Sequence, residues 1–331
     1  MQVWRTLAEV PGGPGSTDLG STGLGSTDLG STVVTIGNFD GMHRGHRHVL
    51  AQCRRIADEL GVATVVAVTF DPHPMAVLRP EHAPPILTSI EERLPLFDQA
   101  DADAVMVLPF DLDMAGWSPE EFVDRVLVQL LHARAVVVGG NFRFGRRAAG
   151  DVALLHELGP TRGFEVFGVT LDGGPQVWSS TYIRNCLAAG DVEGAAEALG
   201  RPFAVRGIVQ RGDQRGRELG FPTANLPDRG QAATPADGVY AGWLRVLEAT
   251  HPDFGAALPA AISVGTNPTF SGERARRVEA FVLDRDDLEL YGVEVEVCFV
   301  KRLRGMRTFA SIEELIAAMR HDVAETRAAL L

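Results

Sequence analysis

Gly37-Asn-Phe-Asp-Gly-Met-His-Arg-Gly-His46 is the stretch on which the reading turns. It stands between a short β-branched run, Val33–Ile36, and a helical pattern from about Gly45 to Leu60, with Gly61 suited to closing that helix. A glycine-bearing turn between strand and helix lets backbone approach a phosphate closely, and the helix start presents unpaired N–H donors. Gly45 gives that approach. His43 and His46, three apart, can donate hydrogen bonds to phosphate oxygens as charge shifts onto a leaving pyrophosphate. Two surface histidines at a helix start are the ordinary alternative, and the H-x-G-H spacing between strand and helix argues against it.

Outward from that turn, strands and helices alternate. Ala63–Phe70 is the next strand, and Ser89-x-x-Glu92 and Ser118-x-x-Glu121 are capping boxes opening two helices, the second with Pro119 at its first position. Ala104–Leu108 and Ala135–Val138 are near-continuous apolar runs, the pattern of parallel strands covered on both faces, and Glu165–Val169 is a fifth strand. This β-α-β-α order predicts a doubly wound α/β domain that binds ligands at its C-terminal strand ends. Three further segments fall at such ends. Phe70-Asp-Pro-His-Pro74 could offer Asp71 to a ligand, and Gly139-Gly-Asn-Phe-Arg-Phe-Gly145 follows the fourth strand. Ser179-Ser-Thr-Tyr-Ile-Arg184 supplies hydroxyls near a helix start: Ser180 could cap the helix while touching an anion, and Arg184 suits bidentate phosphate contact.

Near Gly200-Arg-Pro202 the pattern changes. Strand candidates follow at Val205–Gln210, Val239–Leu247, Ala260–Val264, Val278–Leu283 and Val293–Val300, and a helix opens at Ser311-x-x-Glu314 and runs towards Leu330. Short strands with one terminal helix predict a small β-barrel, so residues 1–200 and 201–331 are read as two domains. Between the first two of these strands lies Gly212-Asp-Gln-Arg-Gly-Arg-Glu-Leu-Gly-Phe-Pro-Thr-Ala-Asn225, glycine- and arginine-rich. Thr223 and Asn225, two apart, share one side of an extended chain, and their oxygens suit Mg²⁺ that takes its other ligands from nucleotide phosphates and water. Glu279, on the Val278–Leu283 strand, is either an outward-facing carboxylate or the base that takes the proton of an attacking hydroxyl.

Composition bounds the rest. A chain of 331 residues, 45% hydrophobic, is long enough for two domains with their own cores. Its apolar runs, such as Val62–Phe70, fall well short of the roughly 18 residues of a spanning helix, and the N-terminus has no leader pattern, so a cytoplasmic protein without a membrane role is expected. The net charge of −12 argues against a nucleic-acid partner. Cys53, Cys186 and Cys298 lack metal-site spacing and read as buried thiols. Lys301 is the only lysine and lies in neither a Walker loop nor a protein-kinase strand context. The five-residue GST repeat at Gly15–Thr32 has too little apolar content to pack and reads as a flexible insert.

Taken together, GNFDGMHRGH, TFDPHP, VGGNFRFG and SSTYIR in the first half, and RGRELGFPTANL, PADGVYAGW, AISVGTNPTF and VEAFVLD in the second, resemble the prokaryotic bifunctional riboflavin kinase/FAD synthetase family. The likeness covers nearly the whole chain apart from the repeat. It implies a nucleotidyltransferase-type domain followed by a kinase barrel, with ATP and Mg²⁺ used to turn riboflavin into FMN and then FMN into FAD, releasing pyrophosphate. Catalytic roles would fall to Glu279, His43, His46 and Arg184, with Mg-ATP held by Thr223 and Asn225. Nucleotide or flavin contacts would come from Gly37, Asn38, Phe39, Asp40, Gly45, Asp71, Asn141, Ser180 and Thr181. In the barrel they would come from Gly216, Arg217, Gly220, Phe221 and Pro222. Riboflavin, FMN and ATP are the expected partners of a monomer or weak homo-oligomer. Transfer to another phosphorylated acceptor and a flavin-binding regulator without turnover are the competing readings. Asn141, where other members can carry Asp, and Trp178, where many have an aliphatic residue, depart from the pattern.

Overall fold

The computed structural model describes residues 1–12, 29–170, 178–211, 219–227, 230–265 and 276–331, which fall into two compact units. Met1–Pro84 and Thr88–Trp178 form the first, Pro85–Leu87 and Ser179–Leu331 the second.

The first unit is built on six strands: β1 (Gln2–Trp4), β2 (Thr32–Ile36), β3 (Thr64–Asp71), β4 (Ala104–Pro109), β5 (Ala133–Gly139) and β6 (Glu165–Val169). All pair in parallel, in the order β1-β4-β3-β2-β5-β6. Helices α1 (Arg44–Leu60), α2 (Ile90–Asp98), α3 (Pro119–Phe122, continuing as a π-helix over Val123–Leu130) and α4 (Val152–Arg162) make the connections. Strand side chains alternate between two buried faces. Val33, Val65 and Val137 meet Cys53 and Ile56 of α1, whereas Val34, Val66 and Val136 meet Val126 and Leu127 of α3 and Leu155 of α4. Burial on both sides is why these strands read as continuous apolar runs.

Both capping boxes form. Ser89 Oγ accepts from Glu92 N at 3.2 Å while Glu92 Oε2 accepts from Ser89 N at 2.6 Å, and Ser118 and Glu121 exchange the equivalent pair at 3.1 and 2.8 Å. Gly61 closes α1 in the left-handed region, φ 65°, its N–H donating to Ala57 and Asp58 carbonyls. Thr32, the last residue of the repeat, is the first of β2 and fully buried, its hydroxyl donating to Leu131 O at 2.6 Å. From β2 the chain adds β3 and β4 on one side, then crosses to β5 and β6 on the other. The switch therefore lies between β2 and β5, and ligands of open α/β sheets sit beyond the carboxyl ends of strands at such a point.

The second unit opens with α5 (Ser180–Ala189) and α6 (Val192–Leu199). Six antiparallel strands follow: β7 (Phe203–Ile208), β8 (Ala224–Pro227), β9 (Gly238–Val246), β10 (Ala257–Gly265), β11 (Arg277–Val282) and β12 (Glu294–Arg304), and then α7 (Ile312–Leu330). Their order is β8-β11-β10-β9-β12-β7, and Gln210 N donates to Asn225 O at 2.9 Å across the two ends, so the barrel is nearly closed. Tyr240, Leu244, Ile262, Val297 and Phe299 are fully buried inside the unit. Where the β9–β12 register shifts at Ala241/Gly242, the backbones come so close that a Cβ on Gly242 would lie 1.9 Å from Cys298 O. Helix α5 starts one residue earlier than expected: Ser179, not Ser180, is the N-cap, its hydroxyl accepting from Tyr182 N at 3.1 Å, and Ser180 is the first helical residue.

Candidate functional site

In the first unit, the Gly37–His46 turn sits at the carboxyl end of β2, as a strand-to-helix phosphate loop should. Gly37 N donates to Val68 O at 3.0 Å, which holds the turn against β3. The Phe39 ring is buried between Phe97 and His46, with centroids 5.0 Å from each. His43 is the N-cap of α1: its Nδ1 accepts from His46 N at 3.3 Å, which leaves the ring proton on Nε2. The His43 and His46 rings stack at 3.6 Å. Burial, then the electrostatic influence of His43 and Arg93, pushes the His46 imidazole well below the usual histidine range. His46 therefore stands neutral at physiological pH, with its buried Nδ1 lacking a protein partner among the described residues.

Gly45 leaves the space that this stack uses. A Cβ there would stand 3.1 Å from two atoms of the His43 ring and 3.3 Å from Trp178 O. Asp71 at the end of β3 and Asn141 after β5 are exposed at the same sheet end, and the Asn38 amide nitrogen lies 3.2 Å from His73 Nε2. Asp40, 2% exposed, accepts from Thr88 N at 3.0 Å. Arg93, 4% exposed, was not visible as a site residue in the sequence: a single arginine on an amphipathic helix carries no motif.

Ser180, Thr181 and Arg184 belong to the second unit. Arg184 lies on α5 and donates through Nε to Pro85 O at 2.7 Å.

A cavity of about 700 Å³ lies between the barrel wall and α7. Phe221, Pro222, Thr223, Asn225 and Glu279 all line it. Asn225 on β8 and Glu279 on β11 are directly opposite in register, and Ser263 on β10 is opposite Glu279 on the other flank. Opposed residues on antiparallel strands present side chains to the same face, with Cβ atoms ~4.5–5.5 Å apart. Asn225 is 5% exposed, and its Oδ1 is buried without a protein hydrogen-bond partner among the described residues. A buried amide oxygen left unsatisfied is costly unless something else ligates it, and a hard cation fits that oxygen. Gly220, φ 86°, precedes the cavity wall, and the Phe221 ring meets Phe281 at 5.2 Å. Gly216 and Arg217 lie outside the described residues.

The far side of the cavity comes from residues with no recognisable spacing: Arg285 and Tyr291 after β11, Met306 and Phe309 ahead of α7, and Ile312 and Met319 on it. Only their position beside the barrel mouth marks them. Among the described residues no group of three His, Cys, Asp or Glu could hold a metal, and no helix is long and apolar enough to cross a membrane.

Known proteins match in the same two parts. The FAD synthetase family profile matches residues 26–181, and the riboflavin kinase profile matches 199–330. A bifunctional riboflavin kinase/FMN adenylyltransferase of Escherichia coli K12 is 36% identical over 88% of this chain and 90% of its own. Its counterpart from Pseudomonas fluorescens is 38% identical over 89% and 92%. A crystal structure from Streptococcus pneumoniae, described as a macrolide-efflux protein, aligns with a TM-score of 0.80 at 27% identity, covering 98% of each chain.

Proposed function

The chain belongs to the bifunctional riboflavin kinase/FMN adenylyltransferase family, and from that premise we propose how its residues divide the two reactions. The observation that carries the reading is the Asn225–Glu279 register pair on the wall of the barrel cavity.

In the kinase step, Glu279 accepts the proton of the riboflavin 5′-hydroxyl as that oxygen attacks the γ-phosphorus of ATP, and ADP leaves. Thr223 and Asn225 would hold Mg²⁺, which when bound neutralises phosphate charge and orients the terminal phosphates. The buried, unsatisfied Asn225 Oδ1 supports that assignment. Thr223 and Asn225 offer only two neutral oxygens, so the remaining ligands would have to come from the nucleotide and water. Phe221 and Pro222 pack the apolar wall, which suits a flat aromatic flavin. Gly216, Arg217 and Gly220 serve the same nucleotide loop.

In the adenylyl step, the FMN phosphate attacks the α-phosphorus of ATP and pyrophosphate leaves, with no covalent nucleophile from the protein. His43 donates through Nε2–H, and neutral His46 stands beside it to stabilise charge on the leaving phosphates. Gly37, Asn38, Phe39, Asp40 and Gly45 shape the turn, Asp71 and Asn141 border it, and Ser180, Thr181 and Arg184 handle phosphate. Residues 1–200 form the adenylyltransferase module and 201–331 the kinase module of a cytoplasmic monomer or weak homo-oligomer.

Titrating Mg²⁺ into Asn225→Ala tests the metal assignment. The kinase step should need at least about tenfold more Mg²⁺ at half-saturation, with FAD formation from FMN keeping its wild-type requirement. An unchanged kinase requirement would remove Asn225 from the metal.

A further inference from the structure

The turn that carries the two histidines is conformationally expensive. Phe39, Gly41 and Met42 have φ of 49°, 84° and 41°, and two of these three are not glycine. Left-handed backbone at a non-glycine residue is strained and persists only where the surroundings over-determine it. The surroundings here are a single buried cation and two threonines. Arg93 NH1 donates to Asn38 O at 2.7 Å, and its Nε donates to Thr88 O at 3.2 Å. Thr69 Oγ1 adds a second donor to Asn38 O at 3.1 Å. Thr88 closes the other flank: its N–H donates to Asp40 Oδ1 at 3.0 Å, and its hydroxyl accepts from Gly41 N at 2.9 Å.

The turn is thus held at Asn38, Asp40 and Gly41, immediately before the residue that caps α1 and stacks on His46. We propose that Arg93, gripping the turn together with Thr88, is a positioning residue for adenylyl transfer. Only 4% exposed, it acts through the carbonyls it holds. It fixes the backbone from which the His43–His46 pair is presented, so a bond that stretches here moves both imidazoles together. Burying a guanidinium is costly unless it is paired and hydrogen-bonded, and here its donors are spent on the turn. The charges of Asp40 and Asp71 face it, and its rigid planar fork sets donors on two carbonyls at once, a fixed geometry that the compact ammonium of a lysine does not reproduce.

This inference rests on the histidine roles proposed above, and the two-activity chain supplies its own control. Arg93→Met and Arg93→Lys are assayed as full-length protein for FAD formation from FMN and for FMN formation from riboflavin. Arg93→Met should lower kcat for FAD formation at least about tenfold, with KM for ATP and FMN within about threefold and FMN formation within about twofold of wild type. Arg93→Lys, which keeps the charge and rotatable N–H donors but not the planar fork, should recover part of that loss. An unchanged kcat, a proportional fall in both activities, or a lysine variant no better than methionine would overturn the proposal. If Arg93→Met fails to fold, Thr88→Val should give the same kcat-selective loss, and wild-type kcat in that variant would overturn it. A wild-type chain that made no FAD from FMN would instead strike the assignment of the first unit.

Discussion

Replacing Gly45 by alanine adds one methyl at a place where the structure leaves almost no room. The new Cβ would stand 3.1 Å from Cε1 and Nδ1 of His43, with Trp178 O at 3.3 Å on its other side. Non-bonded carbon contacts settle near ~3.5–4.0 Å, and the contact with the Trp178 oxygen is tight as well, so the imidazole must retreat by roughly half an ångström. The cap hydrogen bond from His46 N to His43 Nδ1 is already 3.3 Å long and does not survive that shift. Losing a cap costs about 1 kcal/mol, while alanine in place of glycine in a helix returns up to about 1 kcal/mol. The melting temperature should therefore hardly move. Catalysis should: a misplacement of about 1 Å costs on the order of 10²-fold, so half of that costs on the order of tenfold. The assay is steady-state FAD formation from FMN and ATP, with FMN formation from riboflavin as internal control. A tenfold loss confined to FAD formation is expected. Unchanged FAD formation would show that the His43 ring position does not matter, and a loss shared by both reactions would show that the damage is general.

Two further outcomes follow from the geometry. Gly242→Ala drives a methyl to within 1.9 Å of Cys298 O across β9 and β12, so the barrel should lose about 3 kcal/mol by urea unfolding; a variant within about 0.5 kcal/mol of wild type would contradict the close approach. His46, whose imidazole is held well below the usual histidine range by burial and by His43 and Arg93, stays neutral in the fold at pH values where the unfolded chain takes up a proton. Its contribution to stability is complete above the unfolded value of about 6.5 and is lost as the pH falls, by at most about 1.4 kcal/mol per pH unit. Wild type should lose stability more steeply than His46→Gln between pH 6 and pH 5, and parallel slopes would refute the neutral ring.

Much of this was legible in the sequence because the informative signals are local. The β2–turn–α1 unit, both serine capping boxes and the Ser311 start of α7 rest on residues within a few positions of each other, and all form where expected. What escaped is non-local. Gln2–Trp4 is a three-residue strand that exists only because β4 lies beside it. Ala224–Pro227 reads as loop because its four residues carry a proline and an asparagine, and only pairing with β11 makes it a strand. The Ser179-Ser-Thr181 run offers three hydroxyls able to cap one helix, and sequence alone cannot choose among them. The same limit applies to the sites. Thr223, Asn225 and Glu279 could be named from residue chemistry, but their meeting on one cavity wall depends on register. Arg93 could not be named, because its role comes from the turn it grips and not from any pattern around it.

The central claim is that two separate sets of residues on one chain perform two ATP-dependent steps. Chromatography of flavin products from His46→Ala, Glu279→Gln and their equimolar mixture, each given riboflavin, ATP and Mg²⁺, tests it directly. His46→Ala should stop at FMN, Glu279→Gln should leave riboflavin unchanged yet convert added FMN to FAD, and the mixture should carry riboflavin through to FAD. Loss of both steps in either folded variant, or a mixture that makes no FAD, would contradict it.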